Sequence, residues 1–378
     1  MEKVIILGND HTNSLGLAQS LGKSGYEVIP FVWGAKTGIV ACSNYVSNIY
    51  GCHTIQECID KIILQFADNE NPIPIIACCD SAALALDKNR DALAGKFLYE
   101  YSTIYSFDYL FKKENQVRLA QESGFYVPKT WNLSDTKEIP TDVVFPCLIK
   151  PLVSCEGAKT DIRVCYKKDE LKKNLNSLRY THQVLLQQYI ERDYEISILG
   201  CGLKNGTAII PCVENKLTLY PQNVGLECLA NMQPLENTQI IRNIQNLIKA
   251  IGYVGVFSIE MMHSKLDNKF YFTEINLRND GANSFVYKYG VNLPLNHIED
   301  LFDEELTQFT KLSPGYYIWD MHHFLSLIHR EISLRQWLYE LRMSQGFLTY
   351  FPDDRKPFFK QYVNWILSKL HLRKDEQY

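Results

Sequence analysis

The stretch FYFTEINLRNDG, residues 270–281, restricts the fold and the chemistry of this 378-residue chain more than any other. Its alternation of apolar and polar residues predicts a strand that runs into a loop. Side chains two apart on a strand share a face, so Glu274 and Asn276 should project together. Arg278 follows on the same parity, where the strand should end. We therefore expect a polar site at the end of this strand.

A second predicted strand, VGVFSIEMM at residues 254–262, carries a single acid, Glu260, among apolar residues. The short polar connection between the two strands favours a hairpin, which would set Glu260 opposite Glu274 at about 5 Å. Two bare carboxylates that close repel by about 3 kcal/mol at an effective dielectric near 20, so a cation is expected between them. Two carboxylates and the Asn276 amide oxygen form a hard oxygen site suited to Mg²⁺. The alternative is an edge hairpin whose acids are solvated.

The composition excludes some classes of protein. A net charge of −4 argues against general nucleic-acid binding. The 11 cysteines show no CxxC spacing and mostly lie within apolar runs, which predicts reduced thiols in the cytosol. The N-terminus enters a strand without a charged leader, and no apolar run reaches the length of a membrane span. We expect a soluble, cytoplasmic protein.

The first part of the chain predicts a doubly wound domain. Residues 1–107 alternate strand-like and helix-like segments, which is typical of a parallel sheet covered on both faces. The first turn, GNDHTNSLG, lacks the GxGxxG pattern, so a dinucleotide-dependent oxidoreductase is disfavoured. A helix is predicted over residues 109–123, with Gly124 as its C-cap.

Two segments further along suggest an anion and a nucleotide. VVFPCLIKP predicts a buried strand over residues 143–150 that ends on Lys150. A buried ammonium needs an anion, whereas the alternative is a lysine whose head reaches solvent. VLLQQYIERDYEISIL, residues 184–199, predicts two strands joined by a polar crossing. Apolar walls, backbone groups and the following Glu195 would suit a nucleotide, although an amphipathic hairpin would have the same pattern.

In chain order, the lysine after an apolar strand, the QQYI hinge, the following acid, the acidic strand and the EIN motif resemble the ATP-grasp enzymes. The opening SLGLAQSLGKSGYEV is similar to carboxylate–amine ligases of the D-aspartate ligase and carbamoyl-phosphate-synthase-like group. The resemblance implies an α/β fold, α+β in the lid, with a doubly wound pre-ATP-grasp domain and an α-rich C-terminal tail. The boundaries it predicts are 1–107 for the pre-ATP-grasp domain, 108–190 for the lid, 191–310 for the catalytic subdomain and 311–378 for a helical extension.

The resemblance also implies residues that bind ATP, Mg²⁺ (or Mn²⁺) and the reacting groups. They are, in chain order, Lys113 (or its neighbour Lys112), Lys150, Gln188, Tyr189, Ile190, Glu195, Glu260, Glu274, Asn276 and Arg278. The lysines would contact phosphates, the backbone of the QYI hinge would hold adenine, and Glu195 would bind the ribose. The two strand acids and the amide would bind metal. Arg278 would meet the acceptor carboxylate or the developing acyl phosphate.

The implied reaction has two steps, with small-molecule carboxylate and amine substrates. The carboxylate attacks the γ-phosphate of ATP to give an acyl phosphate and ADP, and the amine then displaces phosphate to form an amide. The alternative is an ATP-binding regulatory protein whose grasp fold turns over weakly. The segment SCEGAKT, residues 154–160, departs from the family because it is poorer in glycine than the usual phosphate loop. Substrate selectivity is expected in loops at residues 214–233 and 278–290.

The C-terminal tail is basic and amphipathic. From Arg355 to Lys374 it has six Lys or Arg and no acid, with apolar residues between them. Such a helix can lie on an anionic membrane leaflet, which would bring an enzyme to a lipid-linked cell-envelope or polysaccharide precursor at the inner face of the membrane. The alternative is a helix packed on the body with a solvated basic face. A homodimer is also compatible with the sequence.

Overall fold

The computed structural model describes residues 2–133, 139–151, 163–177, 184–221 and 226–370. The chain begins with a parallel five-stranded sheet in the order β3-β2-β1-β4-β5, here called the parallel sheet. The elements of this region are β1 (Lys3–Asp10), α1 (Thr12–Lys23), β2 (Glu27–Lys36), β3 (Tyr50–Cys52), α2 (Ile55–Phe66), β4 (Ile73–Ala77), α3 (Asp80–Lys88), α4 (Arg90–Leu93), β5 (Phe97–Tyr99) and β6 (Tyr101–Ser102).

Helices cover both faces of the parallel sheet, as predicted. Successive residues of the central strand β1 contribute to different cores: Ile5 packs into the cluster that holds α2, and Ile6 into the cluster that holds α1. A strand that is buried on both faces reads as a continuous apolar run, which is what the sequence of β1 shows. The predicted doubly wound fold is confirmed.

The next region contains a small antiparallel sheet in the order β7-β10-β8-β9, here called the small sheet. Its elements are α5 (Phe107–Leu110), α6 (Lys113–Glu122), β7 (Thr130–Leu133), β8 (Cys147–Pro151), β9 (Arg163–Cys165), α7 (Lys168–Ser177) and β10 (Val184–Gln188). One face packs on α7 through a core that includes Ile149, Leu186 and Leu171. The predicted phosphate loop at residues 154–160 lies outside the described residues.

Two predicted boundaries in this region are wrong. The single helix predicted over residues 109–123 is divided between α5 and α6, because Lys112 has an extended backbone and becomes the N-cap of α6. The strand predicted from residue 143 begins at Cys147. Pro146 has no N–H to donate to a strand neighbour, and only its carbonyl is used, as the acceptor for Tyr189 N.

The remainder of the chain forms an eight-stranded sheet, here called the large sheet, in the order β15-β14-β11-β12-β13-β16-β17, with β6 also pairing with β14. Its elements are β11 (Arg192–Gly202), β12 (Ala208–Tyr220), β13 (Leu226–Gln233), α8 (Thr238–Ile251), β14 (Tyr253–Ser264), β15 (Phe270–Asn276), α9 (Asn283–Tyr289), α10 (Leu293–Leu301), β16 (Gly315–Ile318), α11 (Asp320–Ile328), α12 (Leu334–Met343), β17 (Ser344–Phe347) and α13 (Lys356–Lys369).

Helix α8 packs on one face of the large sheet. Asn237 caps its first turn by accepting from Ile240 N, and Gly252 ends it with a left-handed backbone at φ 58°. The core that contains Leu247 and Phe257 continues without interruption to Ile75 of the parallel sheet. On the opposite face, Leu199 and Val256 pack with α9 and α10 in a second apolar core, and the polar groups lie further along the same strands.

The C-terminal extension is α-rich, as predicted, and it also adds β16 and β17 to the large sheet. It returns to the N-terminal region through Asp354, whose carboxylate accepts from Gln19 Nε2 at 3.0 Å, Ser43 Oγ at 2.6 Å and Asn44 N at 2.8 Å. The extension therefore contacts both the large sheet and the N-terminal region. None of the described helices is long and apolar enough to cross a membrane, and the ten described cysteines are free thiols.

Candidate active site

A row of polar side chains crosses the large sheet on the face opposite α8. The strand register pairs Glu214 with Ser197, Ser197 with Glu260, and Glu260 with Glu274. Residues directly opposite each other in an antiparallel sheet point to the same face, so these four side chains project together. The hairpin pairing of Glu260 with Glu274 predicted from the sequence is confirmed.

The contacts of the predicted metal ligands suit a cation. Ser197 Oγ donates to Glu260 Oε1 at 3.0 Å, and Asn276 Nδ2 donates to Ser258 Oγ at 3.2 Å, which leaves the amide oxygen of Asn276 for another partner. A cation does lie against Glu260, since the ammonium of Lys216 pairs with its second oxygen. Burial raises the pKa of Glu260 to about 7, although the Lys216 ammonium opposes the rise.

The predicted ligands are oxygen donors of the type that magnesium prefers. Among the described residues no three His, Cys, Asp or Glu side chains form a group that could hold a metal ion. A site here therefore depends on two carboxylates and one amide oxygen, and Mg²⁺ commonly takes few protein ligands because it keeps waters and substrate phosphates. Glu260, Glu274 and Asn276 would hold the ion, and this assignment stays a prediction.

Sequence reasoning missed the buried cluster beside this row. Lys216 Nζ lies 2.8 Å from Glu227 Oε1 while also pairing with Glu260, and its side chain is 11% exposed. Glu214 is fully buried, and its two carboxyl oxygens have no hydrogen-bond partner in the described part of the chain. Burial raises the pKa of Glu214 well above its usual value, and the Glu227 carboxylate adds to this rise.

The missed residues lie on strands that were expected to be loops. Residues 214–233 are mostly β12 and β13, and residues 278–290 include α9. The alternation of Glu214 with Lys216 is a strand signal that could have been used. The apolar alternation of this segment is weak, because one face of its strands carries charged side chains instead of apolar ones.

Lys150 lies on the face of the small sheet that is turned away from α7. Its Nζ donates to Gln187 Oε1 at 2.6 Å, so the ammonium is held by protein instead of extending freely into solvent. Burial lowers the pKa of Lys150 to about 8, and the nearby Lys113 lowers it further, while Glu274 and Glu195 oppose the shift. Lys113, Glu274 and Glu195 therefore lie near Lys150, and the four side chains face one cleft. Lys112, by contrast, is exposed, which favours Lys113 for the earlier lysine.

The hinge joins two strands, as predicted, but the polar crossing predicted at residues 191–193 lies at 189–191. β10 ends at Gln188 and β11 begins at Arg192. Gln188 N donates to Lys129 O at 2.7 Å and Tyr189 N donates to Pro146 O at 3.0 Å, whereas Ile190 N donates to no acceptor within the described ranges. Glu195 pairs through one oxygen with the guanidinium of Arg192.

Arg278 links the large sheet to the parallel sheet. Its guanidinium lies 3.2 Å from Asp80, at the start of α3, and 2.7 Å from Asp280. Burial opposes its charge, yet Asp280 and Asp80 raise the pKa of Arg278 above the ordinary value. Two carboxylates already neutralise this arginine. Its Nε and Nη1 donate to other described residues, whereas its Nη2 donates to none of them. A substrate would therefore contact Arg278 through Nη2.

A cavity of about 310 Å³ lies beside this cleft. It is bounded by the ends of β11 and β12 and by the segment from α11 to α12 of the C-terminal extension. Its lining includes Glu195, Lys216, Thr218, Ser326, Ile332 and Gln336. Glu195 and Lys216 belong both to the cavity wall and to the cleft.

The polar face of the large sheet occurs within a known family domain. Residues 118–284 match the model of the ATP-grasp domain. The D-aspartate ligase of Enterococcus faecium (strain Aus0004) is 22% identical over 255 residues, which cover 62% of this chain and 60% of that protein. Formate-dependent phosphoribosylglycinamide formyltransferase of Bacillus subtilis (strain 168) is 26% identical over 185 residues, or 45% of each protein. The chain thus spans about half of the length of these relatives.

Solved structures share the fold over most of the chain. N5-carboxyaminoimidazole synthetase from Staphylococcus aureus superposes with a TM-score of 0.67 at 13% identity, covering 88% of this chain and 86% of that chain. L-amino acid ligase from Bacillus licheniformis gives a TM-score of 0.60 at 13% identity, covering 84% and 78%. Residues 118–284 are thus an ATP-grasp domain, and the fold that this chain shares with the two solved structures extends over most of its length.

Proposed function

We propose that the protein is an ATP-dependent carboxylate–amine ligase that acts through an acyl phosphate. The observation that carries the proposal is the direct pairing of Glu260 with Glu274 on a sheet face that looks toward Lys150. Paired acids facing a lysine across a cleft suit a metal–triphosphate complex, because the charges alternate. A purely structural sheet face would gain nothing from these buried charges.

In the proposed reaction the protein orients ATP and neutralises charge. Lys150 and Lys113 contact phosphate oxygens, Ile190 N and the carbonyl of Gln188 hold the adenine edge, and Glu195 accepts from ribose hydroxyls. Glu260, Glu274 and Asn276 would hold Mg²⁺, or Mn²⁺ in its place, which would supply further neutralisation of the phosphates. The substrate carboxylate attacks the γ-phosphorus and ADP leaves. The amine then attacks the acyl carbon, phosphate leaves, and the amine proton passes to solvent.

The names of the relatives support an amino-acid-like substrate. One relative is a D-aspartate ligase, and a structure of the same fold is an L-amino acid ligase. Because the chain spans only 60% of the D-aspartate ligase, we propose the reaction class and not that particular product. A role in cell-envelope or polysaccharide precursor modification is part of the same proposal.

An ADP-release screen tests the proposal. The purified protein is incubated with ATP, Mg²⁺ and pairs drawn from amino acids, dipeptides and amino sugars, and products are detected by mass. We expect ADP release that depends on a carboxylate, and an amide when an amine is added. Nucleotide binding without ADP release under any pair would instead support the regulatory alternative.

We also propose that the protein is cytoplasmic and contacts the inner face of the membrane through α13. One side of α13 packs on the body, with Tyr362 and Trp365 each 5.3 Å from the ring of Phe324. The other side exposes an apolar stripe at helical spacing, formed by Phe359, Val363, Ile366 and Leu370. Arg355, Lys356 and Lys369 are exposed on the same helix, which suits an anionic leaflet.

Vesicle co-sedimentation tests this contact. The double variant Phe359→Ser, Ile366→Ser should lose most binding to anionic vesicles, while Leu64→Ser, at an exposed position on α2, should not. Equal sedimentation of the two variants would count against membrane contact. Assembly as a homodimer stays a prediction.

A further inference from the structure

Lys216 lies where the predicted metal site meets the cavity beside it. Its backbone is on β12, two residues beyond Glu214 and on the same face as Glu260. Its ammonium contacts Glu260 on one side and Glu227, at 2.8 Å, on the other. The same side chain forms part of the cavity wall. No other side chain combines these three contacts within the described ranges.

The contact of Lys216 with Glu260 conflicts with metal binding. If a divalent ion takes Glu260, an ammonium on the same carboxylate is repelled by a doubly charged neighbour. Glu227 holds the lysine on the side away from the β14–β15 hairpin, so the ammonium keeps one partner when it loses the other. Its remaining N–H groups then need an acceptor, because an ammonium with unmade hydrogen bonds at a buried position is costly.

The cavity offers a place for that acceptor. Lys216 lines the cavity and also contacts Glu260, so the cavity lies next to the predicted metal site, where the γ-phosphate would bind. The far wall comes from the extension, with Ser326 and Gln336 as neutral polar groups, Glu331 as an acid and Ile332 as an apolar residue. A volume of about 310 Å³ suits a small molecule.

We propose that this cavity is the binding site of the carboxylate substrate and that Lys216 is the group that binds its carboxylate, after a divalent ion has displaced the lysine from Glu260. The inference rests on the proposed function. It makes metal and substrate binding cooperative, since the metal releases the cation that the substrate needs. It also implies that the cavity wall between Ser326 and Gln336 determines which carboxylate substrate binds.

Chemical labelling of Lys216 tests the displacement in the wild-type protein. Acetylation by an amine-reactive ester is followed by peptide mass spectrometry with and without Mn²⁺, whose binding is measured in parallel by the loss of the free-ion EPR signal. We expect Mn²⁺ to increase labelling of Lys216 several-fold, with exposed Lys249 of α8 unchanged. Bound Mn²⁺ with unchanged or reduced labelling of Lys216 would overturn the inference while leaving the proposed function standing. No Mn²⁺ binding, with a non-hydrolysable ATP analogue present in both arms, would overturn this inference, because nothing would then displace the lysine.

Acetate and its neutral isostere acetamide test the carboxylate site. With Mn²⁺ bound and ionic strength matched, acetate should protect Lys216 from labelling and acetamide should not. Equal effects of the two probes would overturn the assignment to a carboxylate.

Removing the Lys216 ammonium should strengthen metal binding. Lys216→Met should bind Mn²⁺ about tenfold more tightly, because the competing cation is gone, whereas Lys249→Met should bind it as the wild type does. A lysine that merely supports the fold of Glu260 predicts weaker or unchanged Mn²⁺ binding in Lys216→Met, and that result would refute the displacement. The wild-type labelling experiment stands even if this variant does not fold.

Discussion

The parallel sheet and the large sheet differ in the kind of side chain that they bury. In the parallel sheet every residue of β4, Ile73 to Ala77, is buried and apolar, and helices cover both faces. In the large sheet one face is equally apolar under α8, while the other buries a carboxyl group at Glu214 and an ion pair between Lys216 and Glu227. A parallel sheet thus stabilises the fold, and a largely antiparallel sheet in the same chain carries a face that is costly to fold.

The difference shows where function resides. Burying ionised groups is expensive, and a buried ion pair is often no more stable than apolar residues of the same size. A cluster such as the one around Lys216 is therefore better explained by a task than by stability. The comparison predicts that substitutions on the polar face of the large sheet remove activity, and that substitutions in the parallel sheet remove stability.

The largest expected effect is that of Glu274→Gln. Removing one charge from the paired acids should lower carboxylate-dependent ADP release by at least about 100-fold, because the metal and the transferring phosphoryl group lose electrostatic support. The melting temperature should change little, since the side chain of Glu274 makes no hydrogen bond to another described residue and its strand pairing is unchanged. The control is Glu236→Gln, at an exposed position before α8. Near-normal turnover in a folded Glu274→Gln protein would contradict the metal assignment.

The converse substitution is Ile5→Ala in the centre of the parallel sheet. Ile5 is fully buried, so the variant should lose about 2–5 kcal/mol of unfolding free energy in denaturant titrations through lost transfer energy and a residual cavity. The KM for ATP of the remaining folded protein should stay the same. Leu64→Ala, at an exposed position on α2, should change stability by less than about 0.5 kcal/mol. A tenfold rise in the KM for ATP in Ile5→Ala would contradict the assignment of stability to the parallel sheet and of activity to the large sheet.

The smallest effect is a pH dependence of nucleotide affinity. Glu260, whose pKa is about 7, must lose its proton to take a metal, so affinity should fall as the pH drops below that value. Lys150, whose pKa is about 8, must keep its proton to pair with phosphate, so affinity should also fall above that value. Titration calorimetry with a non-hydrolysable ATP analogue and Mg²⁺ should give a bell with limbs of about tenfold per pH unit.

The alkaline limb of that bell has its own control. Lys150→Met should bind the analogue more weakly and lose the decline above about pH 8, because no ammonium remains to titrate. An alkaline limb that persists in this variant would assign the titration to another group.

Local pattern predicted much of the fold and part of the site. The alternation of strands and helices over residues 1–107 and the hairpin of β14 and β15 depend on the sequence neighbours of each residue, and both were predicted. The short strands β3 and β5 were not predicted individually. The division between α5 and α6 and the strands within residues 214–233 were also not predicted. The second of these fails because a strand face that packs against charge does not show the apolar alternation on which the prediction depends.

By itself, the sequence determined that Glu260 and Glu274 share a hairpin and that a lysine ends a buried strand, since both follow from spacing along one or two strands. Only the tertiary structure decided that Lys216 would lie against Glu260, that Asp80 and Asp280 would neutralise Arg278, and that the C-terminal extension would close a cavity beside them. The physical reason is that charges interact through space. Strand order and domain packing place partners from distant parts of the chain within a few ångströms of each other, and no local periodicity records that distance.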